Sequence, residues 1–177
     1  MSTKQQSLTA LLVIALLVAV LSRRMQDAPR RESLAALTRL EMALHSGSRV
    51  ELAGLLVMPT AIRDHTAPEQ SEFLAKALND EISPEGLAVL KQQGDYGPLK
   101  KLFPAEAEAW ATQAGVHPDD CVAFKLDRNG LRAEVVLDKP SILNSATTTA
   151  KPGYRIVRVN NVKQMADLKP VIVEQHP

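Results

Sequence analysis

Hydrophobic positions in this chain change pattern twice along its length. Leu8 to Leu21 form an almost unbroken apolar run. From Leu34 onward, apolar residues recur every three or four positions, which predicts amphipathic helices. From Val122 onward, apolar and polar residues alternate, which predicts half-buried strands. The pattern therefore predicts a membrane-directed segment followed by an α+β domain.

Four to five helices are expected after the apolar run, because helix-starting residues recur there. These start signals are Asp27-Ala28-Pro29, Ser48 with Glu51, Thr66 with Pro68, Ser83-Pro84-Glu85, and Pro104. Gly47 and Gly115 are expected to end the first and the last helix, and Met58-Pro59 to end the second. The segment from Gly94 to Gly97 reads as a turn.

The third helix is expected to turn its apolar residues inward. These residues are Phe73, Leu74, Ala77, Leu78 and Ile82.

A small antiparallel meander of three to four strands is expected after the helices. Its clearest element is a hairpin around Asn129-Gly130, since this pair favours the positive backbone angles of a two-residue turn. A third strand is expected from Tyr154 to Val159. Val171 to Val173 form either a short edge strand or part of a tail. Helices that precede a meander favour an α+β domain in which the helices cover one face of the sheet.

The apolar run is just long enough for a single membrane span. At 1.5 Å per residue, the uncharged stretch from Gln5 to Ser22 reaches about 27 Å, against about 30 Å of hydrocarbon. We expect residues 1–26 to form this anchor, residues 27–164 the globular domain, and residues 165–177 a tail. A cleaved secretory signal and a buried hairpin helix remain alternatives. The anchor residues are Leu8, Leu11, Leu12, Ile14, Leu16, Leu17, Val20 and Leu21.

Basic residues flank the run and bear on its orientation and on contact with lipid headgroups. They are Lys4, Arg23, Arg24, Arg30 and Arg31. The arginines favour a cytoplasmic location for the domain by the positive-inside bias. The short leader before the run instead favours export, and we expect a periplasmic or extracytoplasmic domain on a single-pass protein.

Composition narrows the function classes. Lys plus Arg number 21 and Asp plus Glu 20, and aromatic residues make up 3%, so neither charge nor stacking surface favours nucleic-acid binding. Cys121 is the sole cysteine, which excludes an internal disulfide and a thiolate metal cluster. We expect partners to be membrane lipid and another protein.

Candidate chemistry is sparse, and we assign no catalytic, cofactor-binding or metal-binding residue. His117, Asp119 and Cys121 are potential zinc ligands, but Pro118-Asp119-Asp120 reads more simply as a turn that leads into a strand. Asp64-His65 reads as a loop or cap before a helix rather than an acid/base pair.

Charged residues alternate with apolar ones on the expected strands. Opposite charges on Glu134, Arg155 and Arg158 are placed to pair across the sheet, which is typical of a solvated face. If the sheet were curved, these side chains would instead point into a pocket.

Two family resemblances add to this interpretation. The order of helices, followed by a meander ending in the residues from Gly153 to Val159, resembles the cone-shaped domains of the nuclear transport factor two-like superfamily. The stretch from Met58 to Leu78, with Ile82 to Leu87 after it, resembles a family of small membrane-anchored bacterial proteins of unknown function. The first resemblance implies a ligand cavity between sheet and helices, and the second implies no activity.

The expected function is that of a non-enzymatic, membrane-anchored accessory or structural subunit that presents its domain to a protein partner. The alternative is a small-ligand-binding module with a cone-like pocket. A third hypothesis is a small hydrolase or isomerase that uses His65 or His117.

Overall fold

The computed structural model describes residues 27–57, 64–139 and 153–167. The expected anchor residues between Leu8 and Leu21 lie outside the described residues, as do Lys4, Arg23, Arg24 and the segment from Val171 to Val173. Within the described ranges, no helix combines the length and hydrophobicity that a membrane crossing requires.

The described chain is an α+β domain with helices before and around a four-stranded sheet. The elements are α1 over residues 27–46, α2 Arg49–Leu55, α3 Ala67–Glu81, α4 Pro84–Gln93, β1 Asp95–Pro98, α5 Leu99–Leu102, α6 Ala107–Ala114, β2 Cys121–Arg128, β3 Leu131–Asp138 and β4 Arg155–Asn160. Short 3-10 helices cover Pro118–Asp120 and Lys163–Asp167.

Most helix ends follow the local signals in the sequence, but α6 begins at Ala107 rather than at the expected Pro104. Gly47, with φ of 64°, follows α1, and Gly115, with φ of 69°, follows α6. The Ser83 hydroxyl accepts a hydrogen bond from the Gly86 N–H at 3.1 Å, which caps α4. The second helix ends at Leu55 rather than at Met58-Pro59, which lies outside the described residues. Helix α5 was not expected.

The sheet is an antiparallel meander in the order β1-β2-β3-β4. The predicted hairpin is confirmed: Asn129 and Gly130 have φ values of 52° and 77° between β2 and β3. The interpretation of Gly94 to Gly97 as a turn is wrong, because Asp95–Pro98 pairs with β2 as an edge strand. This strand is short and contains glycine and proline, so its pairing depends on β2 rather than on local propensity.

Helices pack on both faces of the sheet, so the prediction that they cover one face is wrong. On one face, Phe124 and Val135 belong to a core with Leu37 of α1. On the other face, Ala123 and Val136 pack with Phe103, which follows α5. Strand β3 is therefore buried on both sides, a pattern that alternation alone does not distinguish from a half-exposed strand.

Candidate functional site: a cleft at the sheet edge

A cleft of about 220 Å³ lies along strand β4 and opens to solvent. We call it the β4 cleft. Its lining residues are Leu56, Val57, Phe73, Leu78, Glu81, Trp110, Gln113, Ala114, Ile156, Val157, Arg158 and Val159.

The cleft straddles the edge of the sheet, because its two walls belong to opposite faces. Leu78 of α3 packs in the same core as Ile156, whereas Trp110 of α6 packs in the other core with Val157. Since neighbouring residues of a strand point to opposite faces, β4 supplies the floor and each helix one wall. The β4 cleft is therefore a narrow groove along the edge of β4, between α3 and α6.

The chain that follows α2 lies at one end of the β4 cleft. The Val57 N–H donates a hydrogen bond to the Ile156 carbonyl at 2.7 Å, and Leu56 forms a parallel bridge with Ile156. The other end is marked by Glu81, whose Oε2 accepts a hydrogen bond from the Asn161 N–H at 2.7 Å. The outer edge of β4 therefore already pairs with extended chain at one point.

Phe73 is 49% exposed at the cleft, so its predicted inward orientation is wrong. Leu78 and Ile82 are buried as predicted. At about 100° per residue, Phe73 lies about 140° around α3 from Leu78, which places it at the border of the buried face. Leu74 and Ala77 belong to the same prediction, but their side chains lie outside the described set.

Trp110 and Arg158 form the opposite wall as a stacked pair. The Arg158 guanidinium lies 4.6 Å from the centre of the Trp110 ring, and Trp110 also contacts Phe103 with ring centres 5.0 Å apart. Cation–π stacking and ring contact both restrict the indole. The wall is therefore held in place before any ligand binds.

Arg158 also donates a hydrogen bond to a buried carboxylate. Glu134 is only 1% exposed, and its Oε1 accepts a hydrogen bond from Arg158 Nε at 3.2 Å. Its Oε2 lies 3.8 Å from Arg132 Nε and has no hydrogen-bond partner among the described groups. The cross-strand pairing predicted for Glu134 and Arg158 is confirmed, but Glu134 belongs to a covered face rather than a solvated one.

Arg155 pairs with Asp138 instead of Glu134, at 2.5 Å from Nη2 to Oδ2. Burial raises the pKa of Asp138, and the hydrogen bond from Arg155 partly opposes this effect. Burial, together with the nearby Asp138 and Asp120 charges, also raises the pKa of the Cys121 thiol to about 12. At this pKa the Cys121 thiol is protonated at neutral pH, so it does not supply the thiolate that a nucleophilic cysteine requires.

The turn interpretation of the His117 region is confirmed. Pro118–Asp120 is a 3-10 turn in which His117 Nδ1 accepts a hydrogen bond from the Asp119 N–H. The Cys121 thiol donates to the His117 carbonyl at 3.4 Å. Within the described chain, no three side chains of histidine, cysteine, aspartate or glutamate come together as a metal site.

The remaining candidates lie on exposed surface. Asp64 and His65 precede α3, and the His65 carbonyl accepts a hydrogen bond from Gln70 Nε2 at 2.9 Å. Arg30 and Arg31 lie on the exposed surface of α1. None of these residues lines the β4 cleft.

The sequence pattern does not mark the β4 cleft as a site. Its signals in the sequence were weak: Trp110 is the sole tryptophan, and Phe73 lies at the border of a helical apolar face. Comparison of the chain with protein families, characterised proteins and solved structures found no match.

Proposed function

We propose that this chain is a non-enzymatic, membrane-tethered accessory subunit whose domain binds an extended segment of a protein partner in the β4 cleft. The observation that carries the proposal is the half-exposed Phe73 beside the outer edge of β4, which in the described parts of the chain pairs only at Ile156. Extended peptides commonly bind by adding a strand to such an edge, with neighbouring pockets receiving alternate side chains. Aromatic side chains, including phenylalanine, are enriched in protein interfaces relative to the rest of the protein surface.

The walls match the two directions in which an extended segment projects its side chains. One set would contact Phe73 and Leu78, and the alternate set would contact Trp110 and Ala114. Glu81 and Arg158 supply opposite charges beside these apolar surfaces. An extended chain would therefore form main-chain hydrogen bonds with β4 and apolar contacts with both walls. Glu81 and Arg158 would supply the polar contacts.

The tether is supported by the apolar run from Leu8 to Leu21 and its basic flanks. Such a segment would keep the domain near one membrane surface, where a partner anchored in the same bilayer is present at high effective concentration. N-terminal sequencing of the chain from the membrane fraction tests this part. Recovery of a chain beginning at Arg23 would contradict a retained anchor.

A small apolar ligand is the second candidate occupant, since much of the cleft lining is hydrophobic. The cleft volume of about 220 Å³ lies below the roughly 300–1,000 Å³ that is usual for drug-sized ligands. A cleft of this size fits a few side chains of a longer partner better than it fits a whole drug-sized molecule.

Site-specific photo-crosslinking in native membranes tests the partner proposal. A photoreactive amino acid replaces Phe73 in the full chain, and a matched chain carries it at Gln92, an exposed position on α4 outside the cleft. We expect a discrete protein adduct from position 73 and a several-fold lower yield from position 92. Mass spectrometry of the adduct should locate the crosslink in an extended segment of the partner.

Equal adduct yields from the two positions would contradict the proposal. So would the absence of an adduct at position 73 combined with stabilisation of the purified chain by small hydrophobic molecules. That second result would favour the small-ligand alternative.

A further inference from the structure

Among the residues that the structure describes, the outer edge of β4 pairs only with the Leu56–Val57 segment, at Ile156. In the described parts of the chain, no strand pairs with this edge after Ile156. An edge between apolar walls presents N–H and C=O groups that favour pairing with another extended segment. The cleft therefore matches one added strand in shape and hydrogen-bonding capacity.

The chain leaves the sheet beside this cleft. After β4, Asn161 adopts φ of 55° and its N–H bonds to Glu81, which lines the cleft. The following 3-10 turn, Lys163–Asp167, is fixed by the fully buried Met165 and contacts both α4 and α3. The described chain therefore ends in contact with α4, which does not line the cleft, and with α3, which contributes Phe73 and Leu78 to one cleft wall.

The next strand-favouring residues are a short distance along the chain. Val171, Ile172 and Val173 are three consecutive β-branched residues, and this residue type favours strands. Four extended residue steps separate Asp167 from Val171 and reach about 13 Å. Pro170 has no N–H and suits the first position of a strand at an edge.

We propose that Val171–Val173 docks in the β4 cleft of its own domain as a fifth strand, antiparallel to β4, and competes there with the partner's segment. A chain that turns back after β4 runs antiparallel to it, which is the direction that a short connection permits. Ile172 would face one wall, while Val171 and Val173 face the other. The docking itself does not depend on the proposed function. The competition with a partner's segment rests on the proposed function.

Disulfide trapping in the full chain in mild detergent tests the docking. Val159→Cys is combined in turn with cysteine at positions 171, 172 and 173, and Gln175→Cys serves as the control outside the apolar run. The native Cys121 is buried, with a raised thiol pKa, and does not compete. We expect intramolecular disulfides with an alternating yield, several-fold higher either at 172 or at both 171 and 173.

Equal, low yields at all four tail positions would overturn the docking. Disulfide-linked dimers in place of intramolecular products would also overturn it, by showing that the segment enters a second copy. Trp110 gives a readout without added cysteines, because it is the sole tryptophan and lines the cleft. Ile172→Asp should shift its fluorescence to longer wavelength, whereas Gln175→Asp, with the same added charge, should not.

The competition is tested with the photoreactive group at position 73. Ile172→Asp should raise the yield of the partner adduct several-fold, and Gln175→Asp should leave it unchanged. A partner adduct that is insensitive to Ile172→Asp, without intramolecular disulfides, would overturn this inference and leave the proposed function standing. Intramolecular disulfides without any partner adduct would support the docking and contradict the proposed function.

Discussion

The surroundings of Asp138 and Asp119 shift the pKa values of these two aspartates in opposite directions. Asp138 is 8% exposed beside Cys121, and burial raises its pKa despite the nearby Arg155. Asp119 lies on the surface, where a hydrogen bond from Lys100 at 2.9 Å lowers its pKa. The two carboxylates should therefore make opposite contributions to stability as the pH changes.

Replacement of Asp138 by asparagine should remove a component of stability that declines as pH rises. A raised native pKa means that the folded state retains its proton above the ordinary aspartate value of about 3.9. The contribution is complete below that value and is lost as pH rises through the raised native pKa. The advantage of the native chain over Asp138→Asn should therefore shrink across this window, as measured by unfolding at a series of pH values.

Asp119→Asn is the control, because its effect on stability should change with pH in the opposite direction. Since the pKa of Asp119 is lowered in the folded state, its contribution is present above the ordinary aspartate value and is lost as pH falls. The difference between the native chain and this variant should grow with rising pH. Parallel pH profiles for the two variants would contradict the assignment.

At the scale of elements, the start of α4 is fixed against the turn that follows β4. A Cβ atom on Gly86 would lie 1.8 Å from the Val162 carbonyl oxygen. Val162 and Met165 are fully buried, so this turn has little room to move. The close approach joins two backbones that are far apart in sequence, and glycine is the residue that permits it.

Gly86→Ala should lower the stability of the chain by about 1–3 kcal/mol, because the added methyl group overpacks a backbone contact. The matched control is Gly54→Ala in α2, where an added Cβ meets nothing within 4 Å. This control should be neutral or more stable by up to about 1 kcal/mol. Thermal unfolding followed by circular dichroism compares the two, and equal effects would contradict the packing argument.

For the whole molecule, the distribution of burial predicts the distribution of stability. Strand β3 lies between two strands and has a core on each face. Helix α2 contains no fully buried residue. Elements with little buried surface open locally at low free energy, whereas doubly covered strands open only with the whole fold.

Amide hydrogen exchange should therefore be slowest in Leu131–Asp138 and fast in Arg49–Leu55. Peptide-resolved mass spectrometry of the full chain measures both segments in one sample. Since α2 leads into the Leu56–Val57 contact with β4, early exchange would also identify the cleft end that opens most readily. Protection of α2 equal to that of β3 would contradict this distribution.

The fold class and most element boundaries were accessible from the sequence, because they depend on neighbouring residues. The caps at Ser48 and Ser83 act within one helical turn, and Asn129-Gly130 sets the hairpin through its own backbone angles. Strand β1 was missed for the converse reason. Its four residues contain a glycine and a proline, and pairing with β2 makes them a strand.

The apolar run, the capping signals and the alternating strands are properties of adjacent residues, so the sequence by itself determined them. The cleft, the burial of Glu134 and the covering of both sheet faces were decided only by the tertiary structure. Each depends on groups distant in sequence, such as the Val57 N–H on the Ile156 carbonyl or Arg158 on Glu134. Local periodicity records which residues are apolar, but packing between elements decides which of them are buried and which stay exposed.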